Sequence, residues 1–161
     1  MKFSLLAVIA LLFSSQLMAQ PEQIFLLRHS EKSSGSDPSL TDKGKLRANN
    51  IAKQLLSAKP TQLFSTDYNR TQQTIAPLAK ATSLKVESYN PRELVQFAGE
   101  LKLLSGVAVV VGHSNTTPQL VKLLSGHRVN IEEDEYDKLY ELRLHGDEYQ
   151  LIRHKTSAKA K

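Results

Sequence analysis

The sequence contains no cysteine among its 161 residues. Disulfide bonds and thiol chemistry are therefore excluded as sources of stability or reactivity. Internal repeats, a long linker and a second long apolar run after the first residues are also lacking. A chain of this length is expected to form one domain, since about 150 residues bury enough surface for a core without disulfides or metal.

A basic stripe interleaved with aromatic residues is missing too, although the formal net charge is +5. Such a stripe is what nucleic-acid binding would require, so no nucleic-acid partner is expected. Part of the positive surplus lies in residues 155–161, which we predict to be a flexible basic tail. The remaining modest positive balance favours anionic substrates.

The first residues have the pattern of an export signal. Lys2 is followed by an apolar run over residues 3–13 and by the small residue Ala19. This pattern predicts a signal peptide over residues 1–19 and a mature domain over residues 20–161, although Leu17 makes the cleavage site imperfect. The run is shorter than the roughly 20 residues of a membrane span. We expect a periplasmic or secreted protein without membrane attachment after cleavage; the alternative is an uncleaved N-terminal anchor.

Strand-like and helix-like segments alternate along the mature chain, which predicts an α/β fold with a mainly parallel sheet. Gly146-Asp147 separates the last two apolar segments and predicts a closing β-hairpin. Thr41 is placed to cap the first helix, and Pro77 is expected to kink the second. The predicted strands span 24–27, 63–64, 84–89, 107–111, 139–144 and 149–152, and the predicted helices span 41–56, a stretch around Arg70, 93–104 and 117–124.

Polar residues follow three of these strands directly, as Arg28-His29, the segment 65–70 that ends in Arg70, and Gly112-His113. Ligand sites of open α/β sheets lie beyond the carboxyl ends of the strands, so these side chains are expected at one edge. Arginine presents a fork of donors to phosphate oxygens, and a neutral histidine can be a covalent nucleophile. The pattern predicts a phosphoryl-transfer site that requires no metal and no cofactor.

Four segments, in order, resemble the histidine phosphatase superfamily, also called phosphoglycerate mutase-like. The resemblance implies a three-layer α/β/α sandwich. It also implies that His29 accepts the phosphoryl group as phosphohistidine while Arg28, Arg70 and His113 hold the phosphate, which water then releases. The resembling segments are LRHSEK at 27–32, LTDKG at 40–44 with Arg47-Ala48, STDYNRTQQT at 65–74 and VVGHSNT at 110–116.

The sequence offers two candidates for the proton donor. Family members often place an acid after the third strand, and here Glu93 is the candidate at that place. Nearby, Asn90 stands where related sequences often carry Asp. Glu31, after the first strand, is the less favoured alternative. Asn115 is a further candidate for phosphate contact, and Ser30 replaces a frequent glycine. Missing general acid catalysis typically costs about 10² to 10⁴ in rate, and the nitrogen leaving group of a phosphoramidate lessens that need.

The leading hypothesis is therefore a phosphatase that acts on a small phosphomonoester or phosphoramidate. A phosphomutase is less favoured because the chain is short. The alternative from another class is a phosphate-binding protein without turnover. The sequence leaves the physiological substrate and the oligomeric state open, and it reads Glu132-Glu133-Asp134-Glu135 as a solvated acidic loop.

Overall fold

The computed structural model describes residues 20–160, so the predicted signal peptide over residues 1–19 lies outside the described residues. Helices and strands alternate until a final hairpin. None of the helices in this part of the chain is long and apolar enough to cross a membrane. The elements are β1 (Gln23–Arg28), α1 (Asp42–Leu56), β2 (Gln62–Ser65), α2 (Asn69–Thr82), β3 (Val86–Ser88), α3 (Leu94–Leu101), β4 (Val107–Gly112), α4 (Thr116–Ser125), β5 (Lys138–His145) and β6 (Glu148–Lys155).

The strands form one sheet in the order β3-β2-β4-β1-β5-β6. The four strands from β3 to β1 run parallel, and β5 and β6 add an antiparallel hairpin beside β1. Gly146 lies in the turn of that hairpin with a φ of 64°, a left-handed conformation that favours glycine. The predicted α/β fold with a mainly parallel sheet and a closing hairpin is confirmed.

The two faces of the sheet bury separate cores. Alternate residues of β1 point to opposite faces, so Ile24 and Leu26 pack in the core beside α3 and α4, whereas Phe25 and Leu27 pack in the core beside α1 and α2. Every residue of β4 is buried, as expected for a central parallel strand. The chain is therefore built as helix, sheet and helix layers.

The start of α1 is locked against the segment that follows β1. Thr41 accepts a hydrogen bond from the Gly44 backbone at 3.1 Å, and its own N–H donates to the carbonyl of Glu31 at 3.0 Å. A Cβ at Gly44 would collide with that carbonyl, so glycine permits the close approach. The predicted cap at Thr41 is confirmed, and it fixes the path of the chain after β1.

One expectation about local structure is wrong. Helix α3 ends at Leu101 rather than 104, and Glu93 precedes it as an N-cap residue without a side-chain capping bond. Helix α2 contains Pro77, as expected, and the kink there stays a prediction. Element ends depend on a few hydrogen bonds, which apolar periodicity does not specify.

The predicted free tail is also corrected, because the chain after β6 is held against α1. Arg47 donates to the carbonyl of Thr156 at 2.8 Å, and Asn50 donates to the carbonyls of Ser157 and Lys159, each at 2.9 Å. Thr156 is buried. The sequence shows that this segment is charged, but it does not show that polar side chains of α1 bind its backbone carbonyls.

Candidate active site

The two candidate histidines meet at the carboxyl edge of the sheet. Strands β1 and β4 are adjacent and parallel, with Arg28 in register with Gly112, so His29 and His113 follow at the same level. Their ring centroids lie 5.6 Å apart, and the His29 N–H donates to the carbonyl of Gly112 at 2.9 Å. His29 is buried, whereas His113 is partly exposed. Adjacent parallel strands thus bring together residues that are far apart in the sequence.

The His29 ring is oriented by its own neighbour. Its Nδ1 lies 2.8 Å from the carbonyl oxygen of Ser30, and because a carbonyl only accepts, Nδ1 carries the hydrogen. Nε2 therefore holds a lone pair. Burial lowers the His29 pKa to about 3, and the charges of Arg28, His113 and Arg70 add to this effect, partly opposed by the bond to Ser30. The imidazole is neutral near pH 7, the form in which it can attack phosphorus.

His113 has the opposite tautomer. Its Nε2 lies 2.9 Å from Thr66 Oγ1, which in turn donates to Thr71 at 3.0 Å, so His113 Nε2–H is the donor. Its Nδ1 faces Arg70 Nη2 at 3.4 Å and accepts, because guanidinium only donates. Burial lowers the His113 pKa to about 4, with Arg70 and Arg28 lowering it further. A phosphate dianion placed here would oppose the two arginine charges and favour protonation.

Arg70 reaches the site from the first turn of α2, directly after β2. Its guanidinium lies 4.6 Å from the centre of the Tyr68 ring and 3.6 Å from the Asp37 carboxylate. Tyr68 also packs edge-on against His113, with ring centroids 5.1 Å apart. These contacts fix the guanidinium beside the second histidine.

Arg28 is held much more completely. Its Nη1 donates to the carbonyls of Glu132, Glu133 and Glu135 at 2.9, 2.8 and 3.2 Å, and its Nη2 donates to the Glu133 carboxylate at 3.1 Å. The guanidinium also lies 4.3 Å from the centre of the Tyr136 ring. Residues 132–136 thus occupy Nη1 and one hydrogen of Nη2, and Nε is the Arg28 nitrogen that makes no hydrogen bond.

Three buried side-chain polar atoms within residues 20–160 have no hydrogen-bond partner: Arg28 Nε, Arg70 Nε and Ser30 Oγ. All three belong to residues of the candidate site. Leaving a buried donor unsatisfied costs about 1–3 kcal/mol, more when it is charged, so such atoms are rare in folded proteins. An oxyanion beside His29 would offer acceptors to each of them, and this makes Ser30 a phosphate-contact candidate that the sequence did not suggest.

The acidic segment is largely solvent-exposed, as the sequence predicts, but it also binds Arg28, which the sequence does not predict. In residues 132–136, here called the acidic loop, backbone carbonyls and the Tyr136 ring contact the Arg28 guanidinium. The Glu133 carboxylate accepts from Ser114 Oγ at 2.6 Å as well as from Arg28, although its side chain is 83% exposed. The loop connects α4 to β5, the neighbour of β1, and this topology brings it to the site. Charge patterning along the sequence carries no signal for that contact.

Glu93 is not brought to the histidines. It is exposed and lines a cleft of about 180 Å³ with Tyr89, Asn90 and Phe97. Among the described residues, no hydrogen bond or ion pair of the Glu93 side chain joins it to His29. The position after β3 is separated from β1 by β2 and β4 in the sheet order, which explains the separation.

Glu31 and Asn115, the remaining candidates, and Ser65, for which a structural role is expected, make no hydrogen bond to the two histidines. Glu31 is buried and forms a two-pronged ion pair with Arg47, at 2.7 and 2.9 Å. Asn115 is exposed at the start of α4 and makes no capping bond. Ser65 is buried and donates to the carbonyl of Thr66 at 2.9 Å. The structure therefore brings together His29, Arg28, Arg70 and His113, and leaves these three outside the cluster.

The assembled cluster can receive a dianion. The charges of Arg28 and Arg70 both act on the neutral imidazoles of His29 and His113, and the residues of the cluster keep three buried polar atoms without a partner. Arginine suits the spread of charge over the equatorial oxygens of a phosphoryl group. Within the described part of the chain, no group of three or more His, Asp or Glu side chains is arranged to hold a metal ion.

Comparisons with known proteins agree with this geometry. The family model described as "Histidine phosphatase superfamily (branch 1)" matches residues 24–91, which include Arg28, His29 and Arg70 but end before His113. No curated protein sequence matches the chain significantly.

Solved structures match a larger part of the chain. A protein assigned as the phosphohistidine phosphatase SixA of Agrobacterium tumefaciens aligns with a TM-score of 0.63 and 19% identity over 82% of this chain and 96% of that one. Mycobacterial glucosyl-3-phosphoglycerate phosphatase with inorganic phosphate gives 0.65 and 16%, covering 87% and 100%. A mutant phosphoserine phosphatase of Entamoeba histolytica with phosphoserine gives 0.65 and 13%, covering 85% and 98%.

The fold is therefore that of the histidine phosphatases. The family model matches less than half of the chain, and the solved structures share its fold. The three similar proteins are named for different phosphorylated substrates, so similarity at these low identities leaves the substrate open.

Proposed function

We propose that this protein is a phosphatase that transfers a phosphoryl group to Nε2 of His29 and then hydrolyses the phosphohistidine. One observation carries the proposal. The free Nε2 of a buried, neutral His29 lies beside His113 and two arginines whose Nε donors have no partner. A protein that only bound phosphate would need the donors but not a histidine with a lone pair directed by its neighbour.

In the first step, the Nε2 lone pair attacks phosphorus and the bond to the leaving group breaks. Arg28 Nε, Arg70 Nε and Ser30 Oγ donate to the non-bridging oxygens, where charge accumulates. The bond from Nδ1–H to the Ser30 carbonyl stabilises the positive charge that develops on the ring. Once the dianion offsets the charge of Arg70, His113 takes a proton from solvent at Nδ1 and donates a hydrogen bond from it to a phosphate oxygen, keeping the proton until phosphate leaves and then returning it to solvent.

In the second step, water attacks phosphorus from the side that the leaving group vacated. The P–N bond breaks, and its electron pair returns to Nε2. Inorganic phosphate leaves, and His29 is again neutral with its hydrogen on Nδ1. Every atom of the cycle is thus supplied by substrate and water.

The substrate class follows from the missing acid. Among the described residues, Glu93 has no hydrogen bond or ion pair with the cluster, and Glu31 is paired with Arg47, so neither is positioned as an acid at His29 in the free protein. Substrates whose leaving group departs without an external proton donor are favoured, which means phosphoramidates and activated phosphate esters. The proposed place of action is the periplasm or the exterior, on the sequence pattern of residues 1–19 alone.

The direct test is hydrolysis of p-nitrophenyl phosphate and of phosphoramidate by the mature protein. We expect turnover of both, and a loss of at least about 10⁴-fold for His29→Ala, because removal of a covalent nucleophile typically costs this much or more. His127→Ala, at an exposed histidine away from the cluster, is the matched control and should keep full activity. Turnover that is equal in wild type and His29→Ala would refute the proposal, and vanadate binding without turnover would establish a binding protein instead.

A further inference from the structure

One ionisable group of the site has no part in the mechanism above. The Glu133 carboxylate bridges the ends of the two strands that carry the histidines, accepting from Arg28 after β1 and from Ser114 after β4. Ser114 directly follows His113, and Arg28 directly precedes His29. The carboxylate is therefore anchored at both of its oxygens within the candidate site.

The other carboxylates near these residues do not share that position. Glu31 is paired with Arg47 and Lys43, and Asp37 is paired with Arg70 at 3.6 Å. Glu93 has no contact with the cluster. Among the described residues, Glu133 is the carboxylate that touches groups from both histidine-bearing strand ends.

The contacts of Glu133 also determine which proton-transfer role it can have. The hydrogen bond from Ser114, followed by the charge of Arg28, lowers the pKa of the carboxyl group below its ordinary value. Glu133 is consequently ionised near neutral pH. An ionised carboxylate accepts a proton and cannot donate one, so its chemistry fits a base and not the acid of the first step.

Access to water fits the same role. The Glu133 side chain is 83% exposed, although two of its lone-pair positions are occupied by Ser114 and Arg28. A carboxylate has about four such positions, so others remain to accept from a water molecule. Solvent can therefore reach the carboxylate while its orientation toward the site is kept.

We propose that Glu133 is the general base of the second half-reaction, taking the proton from the water that hydrolyses phosphorylated His29. This inference rests on the proposed phosphatase function. In the step, the water oxygen bonds to phosphorus and one water proton passes to a Glu133 oxygen. The P–N bond breaks, its electron pair returns to His29 Nε2, and protonated Glu133 later releases its proton to solvent. Atoms and charge balance without another reactant.

The test is Glu133→Gln, compared with Asp134→Asn in the same loop. Both substitutions remove one negative charge, but Asp134 makes no contact with Arg28 or Ser114 among the described hydrogen bonds. With p-nitrophenyl phosphate, whose leaving group needs no acid, we expect Glu133→Gln to release a burst of one nitrophenolate per enzyme. Steady-state turnover should then fall about 10²-fold or more, the usual contribution of general base catalysis.

Two further readouts distinguish a base from a structural role. Phosphohistidine should accumulate in Glu133→Gln and stay below detection in Asp134→Asn. The acidic limb of the steady-state pH profile should disappear in Glu133→Gln, because that limb reports protonation of the base. Ser114→Ala, which keeps the carboxylate but frees one oxygen, should reduce turnover less than Glu133→Gln. Thermal unfolding checks that each variant is folded.

The results separate this inference from the proposed function. If Glu133→Gln turns over at the wild-type rate, with no burst and no accumulated phosphohistidine, then Glu133 is not the general base. That result would leave the proposed phosphatase function intact. Faster turnover or tighter vanadate binding in Glu133→Gln would also overturn the general base, since the carboxylate would then merely compete with phosphate for Arg28. Absence of turnover and of phosphohistidine in wild type would overturn the proposed function itself.

Discussion

Two clusters of buried charge lie side by side after β1 and differ in how their polar atoms are satisfied. In the Glu31–Arg47 cluster, the guanidinium donates from Nε and Nη2 to the carboxylate and from Nη1 to Thr156. In the cluster around His29, both arginine Nε atoms and Ser30 Oγ have no partner. We call the first cluster closed, because its polar atoms have partners, and the second open, because some of its polar atoms have none. Glu31 and His29 are only two positions apart in the sequence.

The difference indicates which charged groups stabilise the fold and which are available to bind a ligand. A closed ion pair stabilises the folded state only while both partners are present, because either one alone leaves a buried charge. An open cluster costs stability in the free protein, and this cost is recovered when an anion binds. The comparison predicts stability effects at Arg47 and binding effects at Arg70.

The largest effect is expected on stability, for Arg47→Ala. The substitution leaves the buried Glu31 carboxylate without its main partner and frees the Thr156 carbonyl, so the free energy of unfolding should fall by about 3–5 kcal/mol. Urea denaturation at pH 7 measures it. Lys43→Ala removes the exposed partner of the same carboxylate and should cost no more than about 1 kcal/mol. Equal effects of the two variants would contradict a closed structural cluster.

A smaller effect, on ligand affinity, is expected for Arg70→Ala. Loss of a charged donor typically costs about 1.5–3 kcal/mol, so the dissociation constant of vanadate should rise about 10- to 150-fold. The stability of the free protein should change less than in Arg47→Ala, because Arg70 loses a long ion pair with the exposed Asp37 and its Nε has no partner to lose. Calorimetric titration gives the affinity, with exposed Arg128→Ala as control. Unchanged vanadate affinity would remove Arg70 from the site.

The smallest effect concerns pH. Because the His29 pKa is lowered to about 3, the unfolded chain binds a proton near pH 6.5 that the folded chain does not bind. Stability should therefore fall as pH decreases from 7 to 5, by at most about 2 kcal/mol for this residue, and the loss continues toward its folded pKa.

The measurement is the difference in unfolding free energy between pH 7 and pH 5, a range above the ordinary pKa of carboxyl groups. His29→Asn should show a weaker dependence than wild type. Added phosphate should also weaken it, because the dianion favours the protonated histidines. A pH dependence that is the same in His29→Asn would show that His29 is not its source.

The sequence predicts the parallel part of the site well. His29 and His113 each follow a strongly apolar strand, and adjacent parallel strands deliver such residues to the same edge. The placement of Arg70 after β2 follows from the same rule. Apolar runs and the residues directly after them are local signals, so a single sequence is enough to read them.

The remainder of the site depends on contacts between segments that carry no local signal. Glu133 looks like one member of a charge run until the α4–β5 connection places it on Arg28. The sequence suggests Glu31 as a candidate acid, but in the structure its carboxylate is paired with Arg47 of α1. Spacing alone does not show which buried charges find partners, and that pairing decides between structural and chemical roles.

The central claim is that Nε2 of His29 carries the phosphoryl group, and the most direct measurement is phosphorus NMR of the protein quenched in alkali during turnover. Alkali preserves phosphohistidine, and the chemical shift distinguishes phosphate on Nε2 from phosphate on Nδ1. Because Nδ1–H of His29 donates to the Ser30 carbonyl, the account predicts an Nε2-phosphohistidine signal that is lost in His29→Ala. A signal from Nδ1, a signal that survives in His29→Ala, or turnover without any phosphohistidine would contradict it.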